Sequence, residues 1–421
     1  MLFLSLIALQ AIRQSTVPID CVEKKWAKAG VPYGDPKGPP QRYLILSNGP
    51  EFMSEYSVPA KVDHVNLYWG KIPFESQDLK LRVYIDHFID AQSTLDNLDI
   101  RFCMGIRNGG GSPVQIVRRV TTVARPPENE PHQYIDPGQD LSFAHLSQKW
   151  QASLAAGKTI LIPDDSDPGD VADIGVTLKQ RPENLQYGNV IAELDLHADK
   201  AIVGRSLIVR TVARKPGGTL GACLDESCAQ AGAGERGWWP QADIYVRSDP
   251  NAPIKVDPKA EKPFAARFRV CTNGGVDWAM FNKFDANGLP VTNNLLDTFG
   301  TKNSGLWGVN VLYRIYYQAD QVVKTPLFSS IACVLKDLAV SHVLSGPFSE
   351  KDNPWATYAD AKLRVSKPGY LNFRSKMDYD YLDLGKVGSA TEDVHYFEYF
   401  ITDAGASVLP TDWIIQNGPR K

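Results

Sequence analysis

A chain of 421 residues is longer than one hydrophobic core usually serves, so two domains are expected. With 43% apolar and 22% charged residues it can bury a real core, which excludes wholesale disorder. A formal net charge of −3, without runs of one sign, gives no field that would gather phosphate backbones or anionic lipid, so nucleic acid is a poor candidate partner.

The chain opens on Leu2 to Ala8, a short apolar run that reads as the hydrophobic part of a secretory signal, with Ala11 as a small residue near a cleavage site. Residues 1–20 are assigned to this segment; a buried N-terminal strand is the competing reading. The run is far too short to span a bilayer, and no other stretch approaches transmembrane length. Residues 21–213 are expected to form an N-terminal β-sandwich. Its clearest strand is 79–85, where Leu79, Leu81, Val83 and Ile85 share one face and Lys80, Arg82 and Tyr84 the other, the pattern of a half-buried strand. Leu98, Ile100, Phe102, Met104 and Ile106 repeat the alternation before Asn108-Gly109-Gly110-Gly111 breaks it. Further strands are expected at 114–123, 190–197 and 202–212. One amphipathic helix interrupts them near 140–156, because Phe143, Leu146, Trp150 and Leu154 recur at steps of three and four, with Asp140 to cap its start and Gly157 its end. A stretch rich in Gly, Ala and Pro, 214–262, reads as a connection. Residues 263–421 are expected to form a second β-sandwich, with aromatic and β-branched strands at 264–270, 307–317 and 394–401. The expected fold class is all-β and mostly antiparallel, two β-sandwich-like domains with one short helix.

Cys21, Cys103, Cys223, Cys228, Cys271 and Cys333 form an even set, which suits an oxidising compartment. Only Cys223 and Cys228 are close in sequence; a disulfide between them is expected, and a zinc site would need two further ligands nearby that the sequence does not supply.

Ser47-Asn48-Gly49-Pro50-Glu51, the segment from Leu81-Arg82-Val83-Tyr84 through Ile85-Asp86-His87-Phe88, and Ile106-Arg107-Asn108 followed by Ser112-Pro113-Val114 together resemble an uncharacterised family of exported bacterial β-rich proteins. In that family an S-x-x-P-E entry precedes a strand ending near a histidine, then a tight turn and a P-V-x-V strand. The likeness covers roughly the first half, and Gly109-Gly110-Gly111 replaces the family's tighter turn. The resemblance implies export and a β fold, and brings no activity with it.

No G-x-S-x-G elbow and no H-E-x-x-H occurs. His64, His87, His197 and His395 each have an aspartate within two residues (Asp63, Asp86, Asp195, Asp393) that could orient an imidazole. Neighbours on a strand point to opposite faces, so only Asp195 with His197 and Asp393 with His395 can share one. The acidic loop from Asp164 to Asp173 concentrates hard oxygen ligands; Asp165, Asp167, Asp170 and Asp173 are the candidate Ca2+ ligands, against the plainer reading of a solvated turn. Trp238, Trp239, Tyr379 and Tyr381, with Asp380 beside them, could stack and hydrogen-bond a sugar, or simply fill a core. These features give the expected function of an exported, non-enzymatic envelope or extracellular protein. It would present β-sandwich surfaces for assembly with its own copies or with envelope glycan. The alternative is a secreted carbohydrate-binding or carbohydrate-active protein. No N-x-[ST] glycosylation acceptor occurs in the chain.

Overall fold

Alternating strands need a second layer over their apolar face, and the described part of this chain is strand throughout, with no helix among the described residues. The computed structural model describes residues 21–24, 26–29, 42–74, 76–90, 92–107, 113–124, 160–162, 174–178, 186–199, 205–221, 235–239, 242–256, 265–269, 307–319, 325–333, 337–348, 364–365, 371–372, 381–387, 394–407 and 411–417. The helix expected near 140–156 lies outside them.

In chain order the strands are β1 (Cys21–Lys24), β2 (Trp26–Ala29), β3 (Tyr43–Asn48), β4 (Phe52–Met53), β5 (His64–Phe74), β6 (Asp78–Ile89), β7 (Leu98–Arg107) and β8 (Val114–Ala124). They continue with β9 (Ile160–Ile162), β10 (Ile174–Leu178), β11 (Gln186–Ala198), β12 (Arg205–Arg214), β13 (Glu235–Trp239), β14 (Asp243–Ser248), β15 (Ile254–Val256) and β16 (Ala265–Arg269). The last are β17 (Asn310–Ala319), β18 (Thr325–Cys333), β19 (Asp337–Phe348), β20 (Arg364–Val365), β21 (Leu371–Asn372), β22 (Tyr381–Val387), β23 (Val394–Ser407) and β24 (Thr411–Asn417).

A seven-stranded sheet runs β13-β3-β6-β11-β8-β9, with β4 also on β6, and a four-stranded sheet runs β10-β7-β12-β5. The second half supplies an eight-stranded sheet, β2-β14-β17-β23-β19-β20 with β15 on β17 and β21 on β19, and a five-stranded sheet, β1-β16-β24-β18-β22. Most ladders are antiparallel. The sheets are mixed nonetheless, because β3 and β4 run parallel to β6, β14 and β15 to β17, and β1 to β16. The stretch read as a connection, 214–262, carries three strands: β13 extends the first-half sheet beside β3, while β14 and β15 enter the eight-stranded sheet beside β17. Conversely, among the described strands β1 and β2, early in sequence, pair with second-half strands.

One apolar cluster draws on a face of each first-half sheet: Leu79, Leu81, Val83 and Ile85 from β6 and Val190, Ala192, Leu194 and Leu196 from β11 on one side, with Leu98, Ile100, Phe102, Met104 and Ile106 from β7 and Leu207 and Val209 from β12 on the other. The register against β12 shifts by one residue at Leu67, so Leu67 and Tyr68, although neighbours, both join the cluster. Gly70 accommodates this turn of phase, since a Cβ there would lie 1.9 Å from the Tyr68 hydroxyl.

The half-buried reading of 79–85 is corrected by the structure. β6 is buried on both faces from Leu81 to Ile89. Its second face is covered by second-half segments, and its alternate polar residues go inside because each finds a partner there.

Candidate functional site

Among the described residues of the seven-stranded sheet, buried polar side chains gather in two places, one on each face. On the second face of β6, Arg82 is fully buried, an arrangement that survives only with full pairing. Its Nε and Nη2 donate to Glu193 Oε1 at 2.9 and 2.7 Å, and its Nη1 donates to the carbonyls of Ala242 at 2.8 Å and Gly308 at 3.2 Å. Glu193 stands directly opposite Arg82 in the β11 ladder, so the register itself delivers the pair. Arg42, just before β3, adds a second cation: its Nη1 lies 3.1 Å from Glu193 Oε2 and 3.3 Å from Asp195 Oδ1. The backbone closes the same joint, since Ala242 N–H donates to the Arg42 carbonyl. Leu44, Leu46, Tyr84 and Ile191 are buried on this face as well. Gly308, at φ +73°, fits against it so closely that an added Cβ would come within 2.7 Å of Tyr84 Cβ and 3.1 Å of Leu44 Cδ1. The first half and the segments around Ala242 and Gly308 are therefore pinned together by a guanidinium fork.

On the core face, where β3 gives way to β4 through a cis Gly49–Pro50 peptide, His87 is fully buried. Its Nδ1 is 2.8 Å from the Pro50 carbonyl and its Nε2 is 3.1 Å from Ser47 Oγ. A carbonyl only accepts, so Nδ1 carries the proton and Nε2 receives the Ser47 hydroxyl. Arg236, opposite Ser47 in the β13 ladder and also fully buried, donates through Nη1 to the Gly49 carbonyl at 3.0 Å and to the carbonyl of Leu67, the extra residue on β5. The serine and histidine have the contact geometry of a nucleophile and its base, but both are sealed from solvent, so the pair fastens β3 to β6 while Arg236 ties one sheet to the other.

Burial foremost, with the positive Arg236 acting in the same direction and the Pro50 carbonyl opposing, pushes the His87 imidazole down to about 4 from 6.5. Above pH 6.5 neither the folded nor the unfolded chain protonates it and it contributes no pH dependence. As pH falls below 6.5 the unfolded chain takes up a proton that the fold refuses, so stability is lost, by about 3 kcal/mol on reaching pH 4, where the loss levels off. Urea midpoints of His87→Gln and the parent chain between pH 7.5 and 4 should show a shallower acid decline in the variant; parallel declines would exclude His87 as the responsible group.

The residues singled out from sequence fall elsewhere. Trp238 is half-buried, packed on the core cluster with its ring 5.5 Å from that of Tyr43 at 54°, so part of its surface is used inside. Trp239 ends β13 opposite Leu44, and Tyr381 opens β22 opposite Ser330. Tyr379, Asp380, the acidic residues Asp165, Asp167, Asp170 and Asp173, and Cys223 with Cys228 lie outside the described residues. Cys103 is buried and packs with Val212 and Leu220. Asp195 does not orient His197: the carboxylate turns to Arg42, and His197 Nδ1 meets its cross-strand neighbour Asp78 at 2.8 Å. Among the described residues no cluster of three or more His, Cys, Asp or Glu is placed to hold a metal ion. No protein-family model matches the chain, and a search of curated proteins found no match.

Proposed function

We propose that this chain is an exported structural protein of the cell envelope or extracellular space that presents β-sandwich surfaces for assembly, with its own copies as first partner. In this reading the seven- and four-stranded sheets close on one another as one sandwich, and the eight- and five-stranded sheets form a second. The observation that carries it is the Arg82 joint. The buried constellation of Arg82 with Glu193 and Arg42 is sealed from solvent, and Arg82 holds the carbonyls of Ala242 and Gly308. A body stiffened in this way suits a part whose work is done by its surfaces.

Light scattering on the purified chain over a rising concentration series tests the reading. Oligomers that grow with concentration are expected. A strict monomer throughout would contradict it, and glycan binding or hydrolysis abolished by Trp239→Ala or Asp380→Asn would move the protein to the carbohydrate-active class.

A further inference from the structure

The two strands nearest the start of the described chain occupy an unusual place. β1 is the outermost described strand of the five-stranded sheet and β2 the outermost of the eight-stranded sheet, with a single residue, Lys25, between them. One nine-residue arm thus supplies an edge strand to two sheets. Each is held through one ladder: Cys21 to Lys24 run parallel to Ala265 to Phe268, and Trp26, Lys28 and Ala29 pair with Ser248, Arg247 and Val246. Both receiving edges belong to the second half, whereas the arm continues in sequence into β3 of the first half. Its tie to β3 is the thirteen residues 30–42, which include four prolines and three glycines and span at most about 45 Å when extended.

We propose that this arm is exchanged between copies, β1 and β2 of one chain completing the two sheet edges of another. The inference rests on the assembly reading above and names its contact. An arm from a second copy would form the same main-chain hydrogen bonds in the same register, so exchange changes no contact. The balance between closed and exchanged forms is then set by protein concentration against the effective concentration of the tethered arm. Among the end strands of the first-half sheets, β5 is a poorer meeting place. β5 carries a register shift at Leu67, an exposed Lys71 and Pro73, which has no N–H to offer, and these features discourage pairing with a further strand. Reciprocal exchange closes a dimer, and one-directional exchange builds an open chain.

Cys21 stands opposite Ala265, a spacing that a disulfide can bridge. The Ala265→Cys variant, oxidised at low and at high protein concentration, is read by light scattering and by non-reducing electrophoresis, with Cys21→Ser added as the control. Expected are oligomers at high concentration whose chains are linked covalently, the linked fraction rising with concentration and lost on reduction or in the control. Oligomers whose Cys21 is linked only within its own chain overturn the exchange and leave assembly standing. A monomer linked within itself at every concentration overturns both, and absence of any Cys21 linkage overturns the β1–β16 register and the exchange with it.

Discussion

Arg82→Met should lower the stability of the chain by about 3 to 4 kcal/mol. The substitution keeps most of the volume but takes the Arg82 cation from the Glu193 carboxylate, and strips the guanidinium donor from the Ala242 and Gly308 carbonyls. Breaking one side of a buried ion pair costs roughly 3 to 5 kcal/mol, and the remaining Arg42 contact places this case in the lower part of that range. Removing both charges is less harmful than removing one, so the double variant Arg82→Met with Glu193→Leu should recover part of the loss, with Arg42 still facing Asp195. Urea unfolding of the two variants beside the parent chain measures this. A loss below about 1 kcal/mol in Arg82→Met would mean that the joint contributes little.

Gly308→Ala should cost about 2 to 4 kcal/mol. An alanine at φ +73° costs about 1 kcal/mol in backbone conformation alone. Its Cβ would then press on Tyr84 Cβ, which is fixed to the β6 backbone and cannot swing away, adding roughly 1 to 3 kcal/mol of overpacking. Gly217 provides the comparison, since it has nearly the same φ, +74°, with nothing within 4 Å of an added Cβ. Gly217→Ala should therefore show the conformational cost by itself, and the difference between the two variants reports the closeness of packing at the joint. Equal losses in thermal or urea unfolding would show that Gly308 is not in tight contact with β6.

The sequence was most readable where one face is oily and the strand is long. Leu79 to Ile85, Leu98 to Ile106, and the segments that became β11 and β12 were legible because alternate positions are apolar over several repeats. β3 and β5 were not anticipated: Tyr43 to Leu46 is apolar at every position, and the register shift at Leu67 breaks the alternation of β5 partway along. The second face of β6 was misread for a different reason. Arg82 and Tyr84 look like solvent-facing residues on a local view, and the partners that let them go inside, Glu193, Ala242 and Gly308, lie more than a hundred positions away in sequence. The same limit hid the Ser47–His87–Arg236 group, which no local spacing connects, and led Asp195 to be paired with His197, when Arg42 before β3 holds the one and Asp78 on β6 the other. The one local signal was a charged residue at alternate positions of an otherwise apolar strand, as in Glu193 within Val190 to Leu196.

Native-state hydrogen exchange, read peptide by peptide, tests most directly whether the Arg82 joint makes one body of the two halves. Amides of β6 and β11 in the first half and of β14 and β17 in the second should open together, with one free energy of exchange and one dependence on urea. If β14 and β17 instead exchanged through a separate opening at clearly lower free energy while β6 and β11 stayed protected, the halves would be independent and the joint would not couple them.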